Sequence, residues 1–453
     1  MADRHLPHHE RDHLGNIDNP AVTAPASNRL TAQETRRPDQ SDDGSQQDGQ
    51  TQLTPVISKN SQGWRRIVRN FSPSWFSVTM GTGVVAVIFI SIPWQAAWLW
   101  YLSVVFFILN AALFSLAFGA SVLRYSIWPE IWTVMIEDST NSLFLGTIPM
   151  GFATLIDMWT LACVPSWGDW AAYVAWALWM LDSAVAISVT VSLGILLMSA
   201  SHQRSLDSIT AAQLLPIAAT IVAAGTGAEV AQVLPDPHYQ LGTIIASCAM
   251  WGMATPMALS VLVMYYQRLA LHKMPPREVI VSAFLPLGPL GMGGFTILNL
   301  GKIATIVFPK TGSIDPLAGR IAYVLGFFVA LIMWGWGLLW FAFALASIYK
   351  SRPFPFNMGW WGFTFPLGVY ALSTILIGKE LPSRFFRVLG TAFGVAVIVL
   401  WFVIAAGTAR GAWHGHLFHA PCLANLKKQR EVIERASSEE EKQIDPPTGR
   451  AAG

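Results

Sequence analysis

The dominant pattern of this chain is a series of long apolar segments separated by short polar loops. Most segments have at least the ~20 residues that a helix needs to cross a bilayer. Because backbone polar groups must find their partners within the chain in lipid, we predict that these segments are transmembrane α-helices. The ten segments lie near residues 72–92, 97–123, 139–163, 170–199, 211–233, 239–268, 278–308, 319–349, 357–378 and 386–410.

Composition supports this prediction. The chain is 53% hydrophobic and 12% charged, whereas a soluble domain carries about 25% charged residues. The charges are concentrated in residues 1–70 and 420–453. Three scattered cysteines are too few for a disulfide framework or a zinc site, and no basic tract suggests a nucleic-acid partner. We therefore predict an all-α integral membrane protein without a metal or cofactor.

Three regions follow from this distribution. Residues 1–69 are polar and rich in Asp, Gln and Ser, which is typical of a disordered cytosolic tail rather than a signal peptide. Residues 70–412 form the ten-helix transmembrane domain. Residues 413–453 are charged again and are predicted to be a second cytosolic tail. Lys59, Arg65, Arg66 and Arg69 precede the first span, so the N-terminus is expected inside, and ten spans return the C-terminus to the same side.

Proline recurs in every odd-numbered span, at separations of 67–80 residues, about the length of one helical hairpin. Proline and glycine bend helices, and a membrane tolerates such irregularity only against protein or a water-filled path. We therefore predict five helical hairpins around a central pore, with the odd helices kinked and inward. Close packing of helices is the alternative explanation for any single glycine. The predicted pore-kink residues are Pro73, Pro149, Pro216, Pro286 and Pro366, with Gly81, Gly83, Gly151, Gly291 and Gly368.

Five motifs, in order along residues 70–410, carry a family resemblance. They are residues 70–83 (NFSPSWFSVTMGTG), 145–152 (LGTIPMGF), 284–295 (FLPLGPLGMGGF), 360–368 (WWGFTFPLG) and 386–391 (FRVLGT). Together they resemble the tellurite-resistance/dicarboxylate transporter family, which includes the plant slow-type anion channel, fungal malate permeases and fungal sulfite efflux pumps. The motif set is most similar to the sulfite pumps.

The resemblance implies ten helices as five hairpins around one pore per subunit, usually in a homotrimer. It also implies a phenylalanine from the ninth helix that plugs the pore. By motif this pore gate is Phe365, directly before Pro366, and Phe363 is the runner-up.

Four ionisable residues lie at membrane depth: Asp157, Asp182, Glu229 and Lys302. Lys302 is expected either to attract anions at the outer mouth or to snorkel to the headgroups. Because a carboxylate repels an anion, we expect Asp182 to bond a neighbouring helix. Asp157 and Glu229 are expected either to be solvated at the interface or to serve as titrating groups for proton coupling.

With so little positive charge, an anion would cross past backbone dipoles and hydroxyl donors. The predicted anion path includes Thr79, Thr82, Thr147 and Thr364 together with Lys302, although such hydroxyls also bond their own backbone. No histidine lies in an odd span, which disfavours an intramembrane enzyme. The resemblance implies export of sulfite or bisulfite at the plasma membrane. Transport of a C4-dicarboxylate such as malate is the alternative, although the inward helices lack an arginine pair to clamp it.

Overall fold

The computed structural model describes residues 63–94, 96–138, 141–198, 209–272, 274–415, 417, 418, 420 and 423, and its regular elements there are all helical. The predicted N-terminal tail lies outside these residues except for α1, and so does most of the predicted C-terminal tail. The α-helices are α1 (Gly63–Arg69), α2 (Phe76–Ser91), α3 (Ala97–Ile127), α4 (Glu130–Glu137), α5 (Thr147–Met158), α6 (Val164–Trp167), α7 (Asp169–Met198), α8 (Leu214–Val233), α9 (Pro237–His272), α10 (Leu287–Thr311), α11 (Ala318–Lys350), α12 (Thr364–Glu380) and α13 (Arg384–Trp413).

Ten helical segments within the described residues are long and apolar enough to cross a membrane, as predicted. The third segment ends at Trp167, later than the predicted residue 163. A π-helical stretch, Trp159–Cys163, joins α5 to α6 and carries the helix on to Trp167. The ten spans are Pro73–Ser91, Ala97–Ile127, Ser142–Trp167, Asp169–Leu196, Ala211–Val233, Pro237–His272, Arg277–Thr311, Ala318–Lys350, Met358–Glu380 and Arg384–Trp413.

Burial separates the spans into two layers. The five odd spans are 61–94% buried inside the protein, whereas the five even spans are only 22–39% buried. The surface of the even spans is apolar, with Leu116 and Ile332 about 70% exposed, as a lipid-facing surface requires. The prediction of inward odd helices and outward even helices is confirmed.

The odd spans form a closed ring. Within it α2 contacts α5, α5 contacts α8, α8 contacts α10, α10 contacts α12, and α12 returns to α2. Each ring helix also packs against the outer helix of its own hairpin. Because every hairpin begins with a ring helix, all five ring helices run in the same direction, and their N-termini face one side of the membrane.

The five repeated prolines lie where each ring span starts. Every ring span begins with a 3-10 segment that passes into an α-helix. Pro149, Pro216 and Pro366 are each the third residue of that α-helix, and Pro286 directly precedes α10. Proline is tolerated in a first helical turn because its missing N–H has no helical partner there. The expectation of prolines that kink helix interiors is therefore revised: they mark the change from 3-10 to α geometry.

The five predicted glycines lie at close contacts between helices. A Cβ on Gly83 would lie 1.9 Å from Oγ1 of Thr154, and one on Gly291 would lie 2.7 Å from Cα of Tyr370. Such spacing lets neighbouring ring helices approach closely. The same holds where a Cβ would meet other ring residues at less than 3 Å, at Gly81, Gly151 and Gly368.

Candidate functional site

A narrow cavity of about 20 Å³ lies inside the ring. This is room for roughly one water molecule. All five ring helices contribute to its wall, so the cavity lies at the centre of the ring. The lining residues are Val84, Val87, Thr154, Asp157, Val222, Glu229, Met292, Phe295, Phe365, Val369 and Leu372.

The wall of the cavity is mostly apolar. Eight of the eleven lining residues are hydrophobic, and Lys and Arg are absent from the lining among the described residues. A narrow apolar constriction hinders ions because water leaves it readily and an ion must then shed its hydration shell. A cavity with this lining is therefore expected to hinder the passage of ions in this conformation.

Two phenylalanines line the cavity. Phe365 is the second residue of α12 and is 4% exposed. Phe295 of α10 is the other, and sequence reasoning missed it. The sequence feature that could have indicated Phe295 is its position at the end of the glycine-rich motif 284–295, in a span predicted to face inward. Phe363 is buried but does not line the cavity, because its ring packs edge-on against Phe284, 4.9 Å between centroids.

The four predicted hydroxyls do not line the cavity. Each donates its hydrogen to a backbone carbonyl three or four residues earlier, at 2.6–2.8 Å. Thr82 Oγ1 also accepts a hydrogen bond from Nε1 of Trp401, 3.0 Å away. These hydroxyls therefore bond their own backbone, which was the alternative to a role in the anion path. They are Thr79, Thr82, Thr147 and Thr364.

Thr154 is the hydroxyl that does line the cavity. Its Oγ1 donates to the carbonyl of Gly151 at 2.7 Å and accepts from Nδ2 of Asn110 at 3.0 Å. Asn110 belongs to the outer helix α3 and is 1% exposed. A polar contact thus reaches the cavity wall from the outer layer.

Lys302 lies outside the cavity, near the C-terminal end of α10. Its Nζ lies 2.7 Å from Oε1 of Glu380, and the hydroxyl of Tyr323 donates to Oε2 of the same carboxylate at 2.8 Å. Because the Lys302 side chain is 47% exposed, the ion pair contributes at most about 1 kcal/mol to stability. This lysine is therefore paired at the surface rather than placed in the constriction.

The positions and contacts of the membrane-depth carboxyl groups differ from the expected ones. Asp157 is 8% exposed and lines the cavity, because the third span continues to Trp167 and Asp157 lies well before its end. It is not solvated at an interface. Asp182 is buried, yet neither of its oxygens has a hydrogen-bond partner among the described residues, so the expected bond to a neighbouring helix is missing. Glu229, partly buried near the end of α8, lines the cavity as well.

The motifs and the ring agree with what comparison with known proteins finds. The family model described as voltage-dependent anion channel matches residues 70–409, most of the chain. The chain belongs to the voltage-dependent anion channel family. The channels and transporters of this group are not enzymes, which agrees with the sequence-based expectation, and the all-helical ring is consistent with the family fold.

Three relatives are similar to this chain over most of its length. The sulfite efflux pump of Trichophyton rubrum is 47% identical over 351 residues, which is 78% of this chain and 93% of that protein. The sulfite efflux pump of Candida albicans is 28% identical over 74% of this chain and 72% of its own length. The malic acid transport protein of Schizosaccharomyces pombe is 26% identical over 74% and 77%. The resemblance to the fungal sulfite pumps is confirmed.

Proposed function

We propose that this protein exports sulfite or bisulfite across the plasma membrane through the centre of the five-helix ring. The observation that carries the proposal is the 47% identity to a sulfite efflux pump across nearly all of that protein. The cavity, to which every ring helix contributes, supports it because a transport path must pass between the helices rather than through lipid.

The ring suits a small anion. The N-termini of all five ring helices face one mouth, and each carries a partial positive charge that attracts anions. Among the described residues, the cavity lining contains no Lys or Arg side chain that would bind the anion tightly. Weak contacts favour conduction, because a tightly bound ion would not leave.

Phe365 closes the path in this proposal, and Phe295 narrows it from the neighbouring ring helix, α10. The cavity between the walls is about 20 Å³, which is room for about one water molecule. A sulfite ion has four heavy atoms and needs more room. At least one aromatic ring must therefore move before the anion passes.

Malate is the second candidate cargo, favoured by the relative from S. pombe. A dicarboxylate carries two negative charges at opposite ends, so a binding site for it is expected to hold paired cations. The lining offers two carboxylic acids instead. Sulfite is the better match for this path.

Cytosolic termini and a homotrimer complete the proposal. Arg65, Arg66 and Arg69 on α1 directly precede the first span and favour an inside N-terminus. The trimer is proposed by family analogy. Predicted tails 1–69 and 413–453, outside the described residues for the most part, would then both lie in the cytosol, with residues 70–412 in the membrane.

Deletion of the gene in its own host tests the proposal. Cells without the protein are expected to retain loaded sulfite and to become sulfite-sensitive, and re-expression should restore efflux. Malate release measured in the same cells distinguishes the two cargoes. Unchanged sulfite efflux, or a loss confined to malate, would contradict the proposal.

A further inference from the structure

Three carboxyl side chains from three helices interact with one another, and two of them line the path. Asp157 of α5 and Glu229 of α8 line the cavity. Glu229 lies near enough to Asp157 for their charges to interact, and so does Asp182 of α7. Like charges repel most strongly where water is scarce. Three ionised carboxylates beside a narrow apolar path would therefore repel each other and any passing anion.

These carboxyls lack the partners that buried charges require. Asp157 is 8% exposed and Asp182 is 2% exposed. Within the described part of the chain, Oδ1 of Asp157, both Oδ atoms of Asp182 and Oε2 of Glu229 have no hydrogen-bond partner. A buried charge that is neither paired nor hydrogen-bonded is strongly unfavourable. The cluster therefore calls for a positively charged ligand.

The surrounding charges do not supply this ligand. The cation that acts on Glu229 is Lys379 near the end of α12, and Lys379 itself is exposed. Asp157 faces the hydroxyl of Thr226 on α8 in addition to the other two carboxyls. The charged groups next to Lys379 are Lys302 of α10, Glu380 of α12 and Arg387 of α13.

A metal ion does not fit the cluster. Among the residues that the structure describes, no three His, Cys, Asp or Glu side chains converge closely enough to hold one. A proton needs no convergence, since it bonds to a single carboxylate oxygen. The proton is therefore the positively charged ligand that fits these carboxyl groups.

We propose that Asp157 and Glu229 form a proton-binding site in the wall of the path, that Asp182 interacts with it through Asp157, and that the occupancy of this site controls anion passage. This inference rests on the proposed function. A proton from the aqueous phase adds to a carboxylate oxygen and forms a neutral acid, which no longer repels the anion and whose O–H is a hydrogen-bond donor. Loss of the proton to water restores the negative charge and hinders the path.

The test compares sulfite efflux from proteoliposomes that carry wild-type protein or the Asp157→Asn/Glu229→Gln double variant. Both amides are neutral at every pH. Because the protonation of sulfite itself changes with pH, the informative quantity is the ratio of variant to wild-type efflux at each pH. Asp315→Asn is the matched control, since Asp315 is an exposed loop carboxylate whose Oδ1 accepts a hydrogen bond that asparagine preserves.

The ratio for the double variant is expected to rise from about pH 5 to about pH 8, by up to about tenfold per pH unit once the wild-type site loses its proton. The Asp315→Asn ratio should stay constant. A constant ratio for the double variant in vesicles that do release sulfite would overturn the proton site and leave the proposed function intact. A wild-type efflux that depends on Na⁺ at fixed pH, lost in the double variant, would also overturn it.

Infrared spectroscopy of the purified protein reads the site without transport. The C=O stretch of a protonated carboxyl should diminish in Asp157→Asn relative to wild type and remain in Asp315→Asn. Equal bands in wild type and Asp157→Asn across the pH series would overturn the proposal. Vesicles that release no sulfite at any pH would instead contradict the proposed function, and the infrared result would still decide the proton site.

Discussion

Replacing Phe365 by alanine removes an aromatic ring from the wall of the central cavity. The ring is 4% exposed and lines a cavity of about 20 Å³. Truncating a buried phenylalanine to alanine costs about 3–5 kcal/mol, and the closed conformation loses this packing. If only about 1.4 kcal/mol of that cost favours the open conformation, passage becomes about tenfold faster. We therefore expect Phe365→Ala to raise anion flux per folded protein by at least about tenfold.

The matched control is Phe363→Ala. It removes the same atoms two residues earlier, from a side chain that is 7% exposed but packs on Phe284 rather than lining the cavity. Both variants should lose stability to a similar degree, and only Phe365→Ala should conduct more. Current from patch-clamped membranes, divided by the amount of folded protein measured by size-exclusion chromatography, provides the comparison. Unchanged or reduced current for Phe365→Ala, or an equal increase for Phe363→Ala, would refute the gate.

Three further predictions concern other parts of the molecule. Phe295→Ala should also raise the current, by less than Phe365→Ala if Phe365 is the main obstruction. A decrease in current would contradict the assignment of Phe295 to the path. Gly291→Ala should destabilise the protein by about 1–3 kcal/mol, because its Cβ would lie 2.7 Å from Cα of Tyr370. Gly335→Ala, with no atom within 4 Å of the added Cβ, should be neutral or stabilising in the same thermal-unfolding assay, and equal losses would contradict the packing argument. Glu380→Gln should shift stability by less than about 1 kcal/mol, because the lysine it pairs with is half exposed, and a larger loss would indicate that this ion pair holds the outer mouth together.

The spans and their two layers could be predicted from sequence because both depend on local composition. Length and hydropathy define each span. Prolines within the spans, such as Pro149, Pro216 and Pro366, lie in the buried helices, apart from Pro237 and Pro256 in the outer α9. The spacing of these prolines along the sequence therefore predicts which helices form the ring.

Side-chain direction could not be predicted in the same way. Thr82 and Thr154 are equally polar, yet only Thr154 faces the cavity, since helix rotation is decided by packing with neighbouring helices. Serine and threonine in helices commonly bond the preceding turn, so a hydroxyl in an inward span is weak evidence for a path. The predicted position of Asp157 was wrong for a different reason: the π-helical stretch Trp159–Cys163 carries its span on to Trp167, beyond the predicted end at residue 163.

Sulfite efflux from vesicles that contain only the purified protein tests the central claim most directly. Vesicles loaded with equal amounts of potassium sulfite and potassium malate are given a potassium ionophore, and both anions are measured outside. We expect sulfite to leave faster than from protein-free vesicles, faster than malate, and faster still with Phe365→Ala. Vesicles with folded protein that retain sulfite, or that release malate in preference to it, would contradict this account.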